Sequence, residues 1–314
     1  MVTRVRPVNE VMQKVARRIA GVGTLPDEVT APVPPKEHDV DVLVVGAGVS
    51  GIHAANGAAA EGASVLVVDE EAAPGGAARL RGEPVPALAP PVERRFATSL
   101  LGLWDEVGAG FGGGRREEAQ EVRWYLAGDA SGVTRLRARR LVVATGASAA
   151  SLPVPGSDRP GVLTAEGAWV LLAHGVLPGE RVLIVHDGTS DDALARALAQ
   201  AGAEVLRRER AQVKALGGRP ALTHAVVEGG RERVDAAVLA GPLSARYALA
   251  GQAGAEVRFA DGGFVVVADG DGRTANPQTF AVGGATGRLR ADEAQAERAG
   301  RVAAREARGL GAAS

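Results

Sequence analysis

The chain has no cysteine. That excludes a redox disulfide, a thiolate-held iron–sulfur cluster and a cysteine nucleophile. Aromatic residues are 3% of the sequence, so side chains able to stack on a ring are scarce. Lysine is nearly missing too: Lys14, Lys36 and Lys214 are its only occurrences, and arginine carries the positive charge. The net charge of −1 gives no electrostatic footing for nucleic acid or a membrane surface. No apolar run reaches the ~20 residues that span a bilayer, and charges break the N-terminal stretch where a signal-peptide core would stand. The expected setting is cytoplasmic. At 314 residues the chain has room for one large or two ordinary domains.

What is present is concentrated between Asp41 and Gly76. Val42–Val45 is a short apolar run of the kind buried on both faces of a parallel sheet. Gly46-Ala47-Gly48-Val49-Ser50-Gly51 follows as a G-x-G-x-x-G turn, then an Ala-rich helix from Ile52 to Glu61, closed by Gly62. Val65–Val68 gives a second strand, with Asp69 and Glu70 at its carboxyl end. Strand, glycine turn, helix, strand and acid fall in the order a dinucleotide site requires. Gly46 permits the tight turn, Gly48 lets the backbone approach a pyrophosphate, and Gly51 lets the helix pack close to the sheet. The free N–H groups of the helix N-terminus, including those of Val49 and Ser50, then face the phosphates. Asp69 stands about 20 residues on, where an acid binds the adenosine ribose hydroxyls, with Glu70 as the fallback.

Upstream, Asn9 to Ala20 places Val11, Met12, Val15, Ala16 and Ile19 on one helical face. A Pro-rich stretch, LPDEVTAPVPPKEHD, leads from it as an extended linker. Downstream, Pro74-Gly75-Gly76-Ala77 forms a loop of close backbone approach at the mouth of the nucleotide site. Gly82 to Pro91 reads as loop and Arg94 to Glu106 as a short helix. Strands are expected around Val122–Leu126, with Gly128-Asp129 turning the chain. Arg140 to Gly146 is a further strand ending at Ala144-Thr145-Gly146, and the proline-rich SLPVPGSDRPGV crosses out of the first domain. Val182–Val185 opens a second βαβ unit. There the three glycine positions hold His186, Gly188 and Asp191, so two of the three glycines are lost. Asp187, Asp191 and Asp192 put carboxylates where a pyrophosphate would bind, and Arg207 and Arg208 stand near the end of the following strand. His186 reads as a residue that filled a vacated glycine position. His38, His53, His174 and His224 have no ligand-like spacing with an acid cluster, so no metal is expected. Glu256–Val267 reads as a hairpin about Asp261-Gly262-Gly263. A last strand from Arg273 runs to the turn at Gly283-Gly284-Ala285, and the helix Ala291–Arg308 closes the chain.

Taken together, ARRIAGVGTLP, DVLVVGAGVSGIHAA, VLVVDEEAAPGG, RRLVVATGA, PVPGSDRPGVLTAEGA, HGVLPGERVLIV and TANPQTFAVGGATGRL resemble the alpha subunit of heterotetrameric sarcosine oxidase. The resemblance extends to the related subunits of hydrogen cyanide synthase, opine oxidase and dye-linked proline dehydrogenase, and it runs from about Arg17 to Leu289. It implies an α/β fold of two dinucleotide-binding, Rossmann-like domains of the FAD/NAD(P)-binding disulfide-oxidoreductase type, the second inserted in the first. The division expected is an N-terminal helix and linker over 1–38, an FAD/NAD-binding domain over 39–150 and 256–309, and a degenerate second domain over 151–255. Carried over by position, Gly46, Gly48, Val49, Ser50, Gly51, Asp69 and Glu70 hold the adenosine half of FAD, or of NAD in the same site. Gly75, Gly76, Ala77, Thr145, Gly146, Gly284 and Ala285 face the remainder.

Two departures accompany the resemblance. Sarcosine oxidase members carry a ferredoxin-like and a folate-binding-type domain that this sequence does not include. Many flavoproteins place Gly-Asp at the last turn, the Asp bonding the ribityl hydroxyls, whereas here the pair is Gly283-Gly284. The alpha subunits of sarcosine oxidase are similar there and hold NAD in this site. The function implied is a dinucleotide-binding subunit that takes part in electron transfer in an amine or imino-acid oxidase or dehydrogenase and needs partner subunits. The alternative is a non-catalytic scaffold that binds nucleotide. A thioredoxin-reductase-like enzyme would need Cys-x-x-Cys and a second intact glycine turn. No side chain stands out as acid, base or nucleophile, which suits a cofactor that does the chemistry.

Overall fold

The structure, a computed structural model, describes residues 11–16, 34–105, 123–150, 152–188, 192–260, 262–287 and 292–309. The chain divides into two units, Met1–Pro34 and Pro35–Ser314. In the first, residues 11–16 are helical, with Val11, Met12 and Val15 exposed. The rest of the expected helix and the linker as far as residue 33 lie outside the described residues.

The second unit opens with β1 (Lys36–Val45), which runs into the glycine turn. Helix α1 (Val49–Ala60) follows, and β2 (Val65–Val68) returns parallel to β1 with Val42 opposite Val65. All four residues of β2 are buried, as a strand covered on both faces requires. Strand β1 is longer than its apolar run. Lys36-Glu37-His38-Asp39, read as linker, extends it, because their partners across the ladder neutralise them: Glu37 pairs with Arg135 at 3.1 Å and Asp39 with Arg137 at 3.6 Å.

A one-turn helix α2 (Gly76–Leu80) precedes a loop and then β3 (Glu93–Arg95) and β4 (Ser99–Asp105). These two strands correct the expectation of a helix over Arg94 to Glu106. Ala97 adopts a φ of 49°, which breaks any helix there. The apolar run after it pairs antiparallel with β5 (Arg123–Asp129) instead. The turn after β5 comes later than Gly128-Asp129. Asp129 ends the strand, and its carboxylate accepts from the Ser131 backbone N–H at 2.7 Å and from the Ser131 hydroxyl at 2.6 Å. Those hydrogen bonds hold the Asp129 carboxyl below the usual range.

Strand β6 (Gly132–Val143) is the spine of this lobe. Its first half pairs antiparallel with β5, Thr134 to Val143 pair parallel with β1, and its last residues pair parallel with the final strand. The chain then leaves through β7 (Ala147–Ala149). The second lobe comprises β8 (Val162–Thr164), α3 (Ala165–Ala173), β9 (Arg181–His186), α4 (Asp192–Gln200) and β10 (Glu204–Glu209), then β11 (Val213–Gly217), β12 (His224–Val227), β13 (Gly230–Arg233) and β14 (Ala236–Ala240). Strands β10, β9, β14 and β8 form a parallel sheet in that order, and β11–β13 form an antiparallel one. Apolar clusters cover both faces of the parallel sheet, one with Leu183 and Val185 and the other with Val182, Ile184 and Trp169.

The chain returns through β15 (Leu243–Ala245), which pairs antiparallel with β7, so outgoing and incoming crossovers are hydrogen-bonded together. Helix α5 (Ala248–Gln252) is followed by the hairpin β16 (Val257–Ala260) and β17 (Gly263–Val266). Ala250, Ala253 and Ala255 are buried in the first lobe's core beside Leu43 and Tyr125. The expected last strand is short, β18 (Thr279–Ala281), and it leads into a 3-10 turn, Gly283–Thr286. Helix α6 (Glu293–Ala307) ends the described chain, with Asp292 accepting from the Gln295 N–H as its cap.

Helices α1 and α6 lie against each other and run the same way. His53 meets Glu293 at 3.4 Å near their starts, and Glu61 meets Arg305 at 2.9 Å near their ends. The approach depends on missing side chains. A Cβ on Gly300 would lie 1.9 Å from the Ala54 carbonyl oxygen, and one on Gly57 would lie 2.2 Å from that of Glu297. Hydrogen bonds first from Arg305 and then from Arg301 hold the Glu61 carboxyl below its usual range. Among the described residues no helix is long and apolar enough to cross a membrane.

Candidate functional site

Four backbone turns converge at the carboxyl ends of β1, β2, β6 and β18. The first is the glycine turn. Gly46 has a φ of 106°, and a Cβ on it would stand 2.3 Å from the Ala144 carbonyl oxygen. A Cβ on Gly51 would stand 1.9 Å from the Gly46 oxygen. Both glycines are therefore demanded by packing. Gly48 differs. It caps α1 with φ −68° and offers no side chain, and nothing lies within 4 Å of where its Cβ would be. The N-terminus of α1 thus has open space beside Gly48, an arrangement suited to a phosphate.

The second turn is Gly75-Gly76, bridged to the first. The Gly75 N–H donates to the Ala47 carbonyl at 2.8 Å, and a Cβ on Gly76 would lie 3.4 Å from the Gly48 Cα. Gly75 adopts φ 117° and Gly76 φ 51°, both left-handed values that favour glycine. Ala77 is exposed. The third turn is Thr145-Gly146, whose carbonyl at Gly146 accepts from the Arg246 N–H at 3.0 Å. The Thr145 hydroxyl donates to the Arg246 carbonyl at 2.8 Å, so its side chain is spent on the return crossover. The fourth is Gly283–Thr286. A Cβ on Gly283 would strike the Ser50 hydroxyl at 2.3 Å, and one on Gly284 would crowd Gly146 and Ala147 at 3.0–3.3 Å. The Ala285 side chain is fully buried in the core.

The two acids at the end of β2 have different partners. The Asp69 carboxylate accepts from the Ala47 N–H at 2.5 Å and from the Glu71 N–H at 2.8 Å. A carboxylate has about four acceptor positions, and these two bonds use two of them. Glu70 pairs with Arg246 at 3.5 Å. Arg246 was not singled out by any motif. It lies far along the chain from Glu70, and no spacing rule joins an arginine after a crossover strand to an acid after β2.

At the corresponding end of the second lobe, the His186 ring accepts from the Gly188 N–H at 3.2 Å and so fills the place of a glycine turn. Asp191 lies outside the described residues. Arg207 is joined to Asp192 at 2.7 Å, and the two line a groove of about 400 Å³ with Ala195 and Arg196. Among the described residues no group of three or more histidines and acids is placed to hold a metal.

Residues 41–111 match the family of FAD dependent oxidoreductases. A subunit of opine oxidase from Rhizobium meliloti is 36% identical over 47% of this chain and 33% of its own length. The alpha subunit of sarcosine oxidase from the same organism is 32% identical over 62% of this chain and 21% of its own length. The chain therefore spans about a third or less of these two relatives. Among solved structures, L-proline dehydrogenase from P. horikoshii superposes with a TM-score of 0.72 at 21% identity, covering 88% of this chain and 56% of that one. The two lobes have the fold of FAD/NAD(P) disulfide oxidoreductases, and over the matched region the chain is a homologue of these opine oxidase and sarcosine oxidase subunits.

Proposed function

We propose that this chain is a dinucleotide-binding subunit of an amine or imino-acid oxidase or dehydrogenase, and that it holds FAD at the glycine turn of its first lobe. The observation that carries the reading is the open N-terminus of α1 at Gly48, ringed by turns from which side chains are excluded. These are the features a pyrophosphate needs: free N–H donors, the positive end of a helix dipole and close backbone approach. The family match over residues 41–111 and the names of the two relatives support FAD and a place among subunits.

The residues divide the work as follows. Gly48, Val49 and Ser50 present backbone N–H groups to the phosphates, and Asp69 accepts from the adenosine ribose hydroxyls. Gly75 and Gly76 allow the backbone to close on one side, and Gly284 beside Gly146 lets the sugar-alcohol or second ribose pass on the other. The bound cofactor supplies the two-electron chemistry. With glycine at 284 there is no carboxylate for a ribityl chain, so NAD fits the same cradle. Partner subunits would oxidise the substrate and exchange electrons through this one.

Purification with identification of the released ligand tests the proposal. FAD or NAD recovered in stoichiometric amount supports it, and the visible flavin spectrum distinguishes them. An empty protein that also fails to bind ADP refutes it. Amine oxidation by this chain alone would refute the dependence on partners. A nucleotide-holding scaffold is the second reading, favoured because the acids described at the four turns, Asp69 and Glu70, are engaged by backbone N–H groups and by Arg246. It predicts a bound dinucleotide that no partner subunit reduces.

A further inference from the structure

The mouth of the proposed dinucleotide site is crowded with acids. Asp69, Glu70 and Glu71 follow one another after β2, and Glu166 approaches from the first turn of α3 in the second lobe. A pyrophosphate must enter among them. Arg79 lies at 3.0 Å from Glu71. Arg246 serves Glu70 and Glu166 at once: one guanidinium nitrogen lies 3.5 Å from Glu70 and another 2.5 Å from Glu166. Its backbone is held on both sides by the Thr145-Gly146 turn, which itself abuts Gly46. The guanidinium is thus aimed by a part of the site and reaches its rim.

We infer that Arg246 is a positioning residue for the dinucleotide: it cancels Glu70 and Glu166, so that an anionic phosphate can occupy the α1 N-terminus, and it links that occupancy to the contact between the lobes. The inference rests on the dinucleotide reading above. Exposed ion pairs contribute little to folding, and Arg246, Glu70 and Glu166 are 45%, 67% and 39% exposed. Their effect on a neighbouring dianion is different in kind. Removing the arginine leaves two uncompensated carboxylates near the phosphates, and like charges across partly exposed protein repel by an amount that salt screens.

The test uses the full chain, freed of nucleotide, with ADP as the probe in titration calorimetry. Arg246→Gln is expected to weaken ADP binding about tenfold at low ionic strength, and the deficit should shrink as salt is raised. Glu70→Gln placed on top of Arg246→Gln removes one of the two uncompensated carboxylates and should recover about half of the lost binding free energy. A purely structural arginine predicts no rescue, because removing its partner mends no fold. ADP binding that is unchanged in Arg246→Gln, or a loss that Glu70→Gln leaves in place, overturns the inference. A wild-type chain that binds no ADP overturns the site reading itself, so the two failures are distinguishable.

Discussion

Gly48 and Gly51 sit in the same turn but are there for different reasons, and substituting each by alanine separates those reasons. In Gly51→Ala two effects oppose. Alanine in a helix is favoured over glycine by about 1 kcal/mol. The new Cβ, however, would stand 1.9 Å from the Gly46 carbonyl oxygen and 3.1 Å from the Ala144 Cβ, where ordinary contact begins near 3.4 Å. Gly46 has little room to yield. Its N–H is bonded to the Val68 carbonyl at 2.9 Å, and its Cα faces the Ala144 oxygen. Overpacking costs up to about 3 kcal/mol, which leaves a net loss of about 2 kcal/mol. Urea denaturation should show a lower midpoint at unchanged slope, with ADP binding lost as well. Gly48→Ala meets nothing within 4 Å and keeps a φ of −68°, which alanine accepts. Its stability should stay within about 1 kcal/mol of wild type. Its methyl group enters the space assigned to the pyrophosphate, so ADP binding should weaken at least tenfold, about 1.4 kcal/mol. Full ADP affinity in Gly48→Ala would refute the placement of the phosphates. A Gly51→Ala protein as stable as wild type would refute the packing argument.

Three further substitutions probe the frame and the acids. Gly300→Val forces α6 off α1, because even its Cβ would lie 1.9 Å from the Ala54 oxygen; a loss of about 3 kcal/mol is expected by denaturant titration. Asp69→Ala removes the acceptor of the Ala47 and Glu71 N–H groups; it should cost about 1 kcal/mol of stability and weaken ADP more than it weakens inorganic pyrophosphate. Glu61→Gln tests the clamp at the far end of α1. Because the folded carboxyl titrates below its ordinary value of 4.5, the pair stabilises the protein above that pH and stops doing so as pH falls through the lowered value. The gap in thermal midpoint between wild type and Glu61→Gln should therefore be widest near neutral pH and close in acid; a gap that persists at low pH would refute the assignment.

The first βαβ unit was legible because each of its parts has a local cause. Val42–Val45 and Val65–Val68 are apolar because both faces are covered, and the glycines mark contacts a Cβ would spoil. What the sequence hid was set by long-range pairing. Lys36–Asp39 reads as a charged linker until the arginines of β6 stand opposite. Ser99–Asp105 reads as a helix until β5 is beside it and Ala97 has broken the chain's course. Within the site, the glycine positions and Asp69 could be named from spacing. The Gly283–Ser50 contact and the reach of Arg246 to Glu70 could not, since both join segments that meet through the topology.

The second βαβ unit shows which part of such a site is separable from the fold. Its strands pair in parallel register, Leu206 opposite Leu183, and the apolar residues of β9 are buried as fully as those of the first unit. The frame has therefore lost nothing. The turn has changed: His186 stands at the tight-turn position with its ring accepting from the Gly188 N–H, and Arg207 is engaged with Asp192 at the mouth. Burial in the strands stabilises the lobe whether or not a ligand binds, whereas a turn glycine whose Cβ would meet nothing adds nothing to packing. A histidine is accommodated at the first glycine position of the second lobe, its ring bonded to the Gly188 N–H. In the first lobe added Cβ atoms strike Ala144 and Gly46, so Gly46 and Gly51 are held by packing as well as by any ligand. Gly48 alone among the three glycines of the first turn has no packing reason to be glycine, and it is there that the case for a bound pyrophosphate is strongest.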